Sequence, residues 1–121
     1  MPEKRGQQYH RERLAEALRE EIETIIEGEL ADPRIGLVNV SEVQLAPDSR
    51  SAQIYVVVQG NDEDADQTLL GLRGAAGFVR NELTERLHLR RAPELFFQVD
   101  RSQQYQARIT ELLSRTKKRQ R

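Results

Sequence analysis

Three glycines with arginines beside them are the strongest candidates for a binding site in this sequence. Gly71, Gly74 and Gly77 form two overlapping GxxG patterns, and Arg73 and Arg80 flank the second one. Small residues let a ligand approach the backbone closely, and the amides that open a helix bind phosphate. The pattern predicts a phosphate site, although a lone GxxG is also typical of close helix packing, and both interpretations stay open at this point.

Other patterns that carry chemistry are missing. There is no cysteine, which excludes disulfides, thiolate metal sites and cysteine nucleophiles. The two histidines, His10 and His88, have no second ligand at a metal-binding spacing, and no serine lies in a nucleophile elbow. We therefore expect no enzyme activity, no metal, no cofactor and no small-molecule substrate.

Hydropathy predicts a cytoplasmic protein. The longest apolar run, residues 54–58, is far shorter than the roughly 20 residues of a membrane span. Residues 1–8 are polar and lack the apolar stretch of a secretory signal, and we expect them to form a flexible N-terminus. We expect residues 9–114 to form a single domain.

The first element that must position the glycines is an amphipathic helix over residues 9–30. It ends before Asp32, because Pro33 disfavours helical geometry at the preceding residue. Its opposite face is rich in glutamate. Apolar residues recur at the three- and four-residue spacings of one buried stripe, namely Leu14, Leu18, Ile22, Ile25, Ile26 and Leu30.

A β-hairpin follows this helix. Residues 37–45 and 52–58 alternate in hydropathy, and residues 46–50 have the composition of a turn. The alternation changes phase near Ser41 and Glu42, which predicts a β-bulge. We expect an antiparallel pair with the second strand at the centre of the sheet.

The glycines lie inside the next helical stretch. Each costs about 1 kcal/mol relative to alanine in a helix interior, so three within seven residues predict an interruption. We predict a helix to about Arg73, a kink over residues 74–77 and a second helix to about His88. A third strand over residues 95–99 and a last short helix over residues 105–113 complete the domain.

These elements predict an α+β fold with a mixed three-stranded sheet. A right-handed crossover through the helices makes the third strand parallel to the second. Helices cover one face of the sheet. The other face, with Tyr55, Val57 and Phe96, is expected to be partly open.

The charge is unevenly distributed along the chain. Residues 1–66 contain 15 acidic and 7 basic residues, a net charge of −8, whereas residues 67–121 contain 5 acidic and 12 basic residues, a net charge of +7. Such asymmetry suggests a polyanionic partner for the basic half. Residues 115–121 carry five positive charges, and we expect them to be a disordered tail.

An RNA-binding function is favoured by the glycine pattern, by its place in the chain and by the charge around it. The break lies between two predicted helices, after one strand and before another, within the basic half. K-homology domains clamp single-stranded nucleic acid with a GxxG loop in this context.

Four segments of the sequence resemble the ribosome-binding factor A family of bacteria. They are residues 32–40, 48–58, 75–80 and 90–97, within a resemblance that runs from about Gln8 to Leu113. The resemblance implies a type II K-homology-like fold, in which an Ala-x-Gly kink in an interrupted helix replaces the usual GxxG. Residues 75–77 fit this kink, and Gly74 adds a full GxxG that the family does not require.

The resemblance also implies a function. Family members associate with the free small (30S) ribosomal subunit late in its maturation and contact its 16S rRNA. They support processing of the 5′ end of the 16S precursor and growth in the cold, and a ribosome-biogenesis GTPase helps their release. We expect a monomer with this role.

The candidate RNA-binding residues belong to the kink, the helix after it, the first helix and the tail. The alternative is a protein-interaction module that binds a basic ribosomal protein through the acidic first helix. The candidates are Arg73, Gly74, Ala75, Ala76, Gly77, Arg80, Arg86, Arg90 and Arg91, with Arg11, Arg13, Lys117, Lys118 and Arg119 as further phosphate contacts.

Overall fold

The computed structural model describes residues 5–102 and 110–114. Ser102 and residues 110–114 are helical, and the rest of the predicted last helix and the tail lie outside the described residues. The main elements are α1 (Arg5–Glu29), β1 (Val38–Leu45), β2 (Ser51–Val58), α2 (Asp62–Gly74), α3 (Ala76–Arg86) and β3 (Glu94–Val99). Helix α1 therefore includes residues 5–8, for which the sequence predicts a flexible N-terminus.

The sheet has the predicted topology. Its strand order is β1-β2-β3, with β2 antiparallel to β1 and parallel to β3. The predicted bulge is confirmed by a register shift between Val40 and Glu42. At this bulge the Val40 N–H donates to the Glu23 carboxylate of α1 over 3.3 Å, which satisfies a backbone group on an edge strand.

The core lies between one face of the sheet and the helices. Alternate residues of β2 are buried there, and the α1 stripe packs onto them, with Leu18, Ile22 and Ile25 fully buried. On the other face Tyr55 and Val57 are half-buried and Phe96 is exposed. The α+β class, helices on one face and a partly open second face are all confirmed.

Helix α2 begins with a capping box. The Asn61 side chain accepts from the Asp64 N–H, and the Asp64 carboxylate accepts from the Asn61 N–H, both over 2.9 Å. Asp62, Glu63 and Asp64 occupy the first turn, where the helix dipole favours negative charge. These interactions fix the start of the helix that ends at the glycine break.

Candidate nucleic-acid interface

The helix interruption is confined to one residue. Helix α2 ends at Gly74 and α3 begins at Ala76, with Ala75 between them at φ −91° and ψ −1°. The interruption is therefore narrower than the kink over residues 74–77 that we predicted. Because the alanine side chain has no hydrogen-bonding group, it cannot cap the amides that open α3.

The three glycines have different surroundings. A Cβ atom on Gly71 would lie 2.6 Å from Ile35 Cγ1, so this glycine allows the loop before β1 to pack closely on α2. A Cβ on Gly74 would lie 3.2 Å from Arg34 Nη2, and one on Gly77 would meet nothing within 4 Å. Close packing thus accounts for Gly71, whereas Gly77 is open to an incoming group.

Four of the predicted residues line one cavity. We call it the kink cavity; it has a volume of about 360 Å³ and lies between α3 and the segment that enters β3. The predicted residues in it are Gly77, Arg80, Arg90 and Arg91, and Asn81, Thr84 and Ala92 complete the lining. Three arginines and one amide at a concave surface are suitable donors for phosphate oxygens, whereas the Thr84 hydroxyl already donates to the Arg80 carbonyl oxygen over 3.0 Å.

Arg80 is held in the wall of the kink cavity. Its Nη2 donates to the carbonyl oxygen of Ala92 over 3.1 Å. Its Nε is buried and, among the described residues, has no hydrogen-bond partner. A buried donor without a partner is unfavourable, and because this nitrogen has no accessible surface, it marks Arg80 as part of the cavity wall.

Arg73 lies in a second cavity, which we call the strand cavity. It has a volume of about 590 Å³ and runs beside β3, where it is also lined by Phe96 and Arg101. Arg73 Nη2 donates to the carbonyl oxygen of Phe97 over 3.4 Å, and Arg101 pairs with Asp62 over 3.2 Å. We did not predict Phe96 or Arg101 as site residues.

Arg86 has a structural environment. Its guanidinium group forms ion pairs with Glu21 and Glu29 of α1 and with Glu82 of α3. Its charge is thus balanced by carboxylates on two packed helices, and it does not line the kink cavity. We leave Arg86 out of the proposed contact surface for this reason.

The predicted arginines of α1 lie apart from the kink cavity. Arg11 lines a separate cavity with Pro47 and Ser49 of the hairpin turn. The Arg13 guanidinium lies 5.7 Å from the centre of the Tyr9 ring, a cation–π distance. Lys117, Lys118 and Arg119 lie outside the described residues, so their predicted role stays a prediction.

Arg50 is a further basic residue that we did not predict. Its carbonyl oxygen accepts from the Glu94 N–H over 2.9 Å, and its side chain is exposed. This hydrogen bond places Arg50 beside the segment that carries Arg90 and Arg91. Only strand pairing reveals that Arg50 lies near this segment, because Arg50 and Glu94 are far apart in the sequence.

Near the break, Arg34 and Asp32 form an ion pair. Arg34 Nη2 lies 2.6 Å from Asp32 Oδ2, and hydrogen bonds from the Arg34 side chain and backbone lower the pKa of Asp32 to about 2. The pair balances the charge of Arg34. It therefore adds little positive charge to the surface around Gly74.

Within the described ranges, no group of three or more histidine, aspartate or glutamate side chains is placed to hold a metal ion. In the same part of the chain, no helix has the length and hydropathy required to span a membrane.

The element order, the mixed three-stranded sheet and the interrupted helix define an α+β domain of the K-homology-like class. The family model described as "Ribosome-binding factor A" matches residues 10–113. The chain belongs to the ribosome-binding factor A family.

Curated relatives and solved structures agree with this assignment. The chain is 53% identical to ribosome-binding factor A of Koribacter versatilis over 117 residues, 97% of this chain and 95% of that protein. It is 45% identical to the Thermomicrobium roseum protein over 87% of this chain and 81% of that protein. The crystal structure of the Thermus thermophilus protein matches with a TM-score of 0.69 and 27% identity, over 76% of this chain and 97% of that one.

A further structural neighbour comes from work on a ribosomal complex. It is a homology model of the Thermus thermophilus ribosome-binding factor A, fitted into a cryo-EM map of a 30S complex of that protein. It matches with a TM-score of 0.60 and 30% identity, over 72% of this chain and 91% of that one.

Proposed function

We propose that this chain is a non-catalytic assembly factor that binds the small ribosomal subunit through 16S rRNA. Its family membership supports binding to the ribosome, since a neighbour of the same family was fitted into a 30S complex. The kink cavity is the proposed site of contact with the rRNA backbone. The strand cavity, with Arg73 beside the exposed ring of Phe96, continues the contact along β3.

The observation that carries the proposal is the donor arrangement of the kink cavity. The Arg80 guanidinium is fixed in the cavity wall by its bond to the Ala92 carbonyl oxygen, and the exposed Arg90 and Arg91 lie on the same cavity. Gly77 leaves the start of α3 accessible. Guanidinium groups form strong, charge-assisted hydrogen bonds to phosphate, so this surface suits an RNA backbone.

The proposed role is late maturation of the 30S subunit. It includes support for processing of the 5′ end of the 16S precursor and for growth in the cold. Release is promoted by a ribosome-biogenesis GTPase, and the protein acts as a cytoplasmic monomer. The resemblance of the sequence to the family supports these finer points.

The alternative, binding of a basic protein by the acidic face of α1, has less support from the contacts. Many of its carboxylates have partners within the chain. Glu16 and Glu23 pair with Arg19, and Glu21 and Glu29 pair with Arg86. This face therefore presents less free negative charge than its sequence indicates.

A salt titration of RNA binding tests the proposal. The Arg90→Gln/Arg91→Gln variant should bind 16S precursor RNA more weakly than the wild type. The slope of log affinity against log salt should fall by about 0.7–0.9 for each phosphate that the variant no longer neutralises. Arg19→Gln is the control, because Arg19 is paired on α1 and lines neither cavity. An unchanged slope in the double variant, or an equally reduced slope in the control, contradicts the proposed site.

A further inference from the structure

The most exposed large apolar side chain among the described residues is Leu37. Its relative exposure is 74%, and it precedes β1 at the end of the molecule where α1 ends and α2 begins. An isolated exposed leucine needs no explanation. Leu37 differs because the chain around it is fixed and two cavities flank it.

The loop that carries Leu37 is anchored at several points. The buried Thr68 hydroxyl accepts from the Gly36 N–H over 3.2 Å and lies 3.4 Å from the Arg34 carbonyl oxygen. The Leu37 carbonyl oxygen accepts from the Gln59 N–H over 3.1 Å. These bonds hold the leucine in place before any partner arrives, which lowers the entropic cost of binding.

Leu37 lies between two cavities and lines both of them. The first has a volume of about 550 Å³ and is bounded by Pro33, Gln67 and the start of α2. The second has a volume of about 420 Å³ and is bounded by Ile26 at the end of α1 and by Leu30 just after it. Leu37 and its two cavities form what we call the Leu37 surface, which offers an apolar centre with concave sides.

The charge around the Leu37 surface is negative. Glu27 lines one cavity and Asp64 lines the other. Arg34 is the one basic residue among the described residues that line them, and its charge is balanced by Asp32. This charge repels phosphate and attracts lysine and arginine side chains.

We propose that the Leu37 surface binds a basic protein segment that carries an apolar side chain, and that it does not bind RNA. Leu37 and the partner's apolar residue form the centre of the contact. Glu27 and the exposed Asp64, whose capping bond to the Asn61 N–H leaves its charge in place, attract the partner's basic residues. The inference rests on the proposed function, because it takes the partner to be a protein of the small subunit. The chain then contacts protein through the Leu37 surface and rRNA through the kink cavity.

Site-specific photo-cross-linking of the full chain to precursor small subunits tests the nature of the partner. A photoreactive residue at position 37 should cross-link to a protein. The cross-linked partner should survive nuclease digestion and be degraded by protease, and the peptide that stays attached at position 37 should be basic. The same residue at position 81, in the kink cavity, should give an RNA adduct. An RNA adduct at position 37, or no adduct above that at the control position 70, overturns the inference.

Binding measurements separate this inference from the proposed function. Leu37→Ala should weaken binding to precursor subunits about tenfold, as expected when a central apolar contact is truncated, and leave affinity for protein-free 16S RNA unchanged. Leu70→Ala is the control, because Leu70 is also exposed, at 49%, on α2. Equal subunit affinity for wild type and Leu37→Ala overturns the inference alone. Failure of the wild type to bind RNA, with the Leu37 effect intact, overturns the proposed function alone.

Discussion

Replacing Gly71 by alanine should destabilise the fold, although alanine is the better helix former. The new Cβ would lie 2.6 Å from Ile35 Cγ1, 3.3 Å from Ile35 Cδ1 and 3.4 Å from Arg34 Cβ. The first distance is far below van der Waals contact, so the loop that holds Ile35 must move away from α2. That movement also strains the hydrogen bonds of the loop to Thr68.

The magnitude follows from two opposing effects. Overpacking of a well-packed site costs about 1–3 kcal/mol, whereas alanine in place of glycine in a helix contributes about 1 kcal/mol of stability. The net destabilisation for Gly71→Ala should be up to about 2 kcal/mol. For a domain of this size, about 2 kcal/mol lowers Tm by roughly 10 °C.

Two matched variants in the same segment provide the controls. Gly77→Ala places its Cβ in open space and should stabilise the fold by up to about 1 kcal/mol. Gly74→Ala meets only the flexible end of the Arg34 side chain, at 3.2 Å, and should have little effect. Urea unfolding followed by circular dichroism measures all three. A Gly71→Ala variant as stable as Gly77→Ala would refute the packing role of Gly71.

Three further substitutions test individual contacts. Thr68→Val removes the buried acceptor of the Gly36 N–H and should cost about 1–2 kcal/mol in urea unfolding; an unchanged midpoint contradicts that bond. Arg86→Gln leaves three carboxylates without their shared cation and should cost about 1 kcal/mol, less at high salt; unchanged stability at low salt argues against its structural role. Arg34→Ala should raise the pKa of Asp32 from about 2 towards its ordinary value, as measured by carboxyl NMR titration. Because the pKa of Asp32 is lower in the folded than in the unfolded chain, the wild type loses this pair's contribution to folding stability as pH falls from about 4 to 2. An Arg34→Ala variant with the same Asp32 titration curve as the wild type would contradict the pairing.

The elements of the fold could be predicted from local patterns. The α1 stripe, the alternation of β2 and the phase change near Ser41 each come from side-chain periodicity, which is set within a few residues. The parallel pairing of β3 followed from the handedness of crossovers. The helix break was also visible, because glycine is unfavourable in a helix wherever it lies.

The site could be predicted only in part. Glycine spacing does not show that Gly71 faces Ile35, since that contact depends on a loop some 35 residues earlier in the chain. The three carboxylates around Arg86 come from two helices that meet only in the folded chain. The Arg50 backbone likewise meets the start of β3 only through strand pairing. Residues that acquire their partners through tertiary packing leave no local signal in the sequence.

Mapping of RNA–protein cross-links shows whether the kink cavity contacts rRNA. The full chain would be irradiated with ultraviolet light on immature small subunits, and the peptides attached to RNA identified by mass spectrometry. We expect attachment within residues 73–81 and 90–101, around the kink and strand cavities. Attachment confined to α1 or to the Leu37 surface, with none in those two segments, would contradict this expectation.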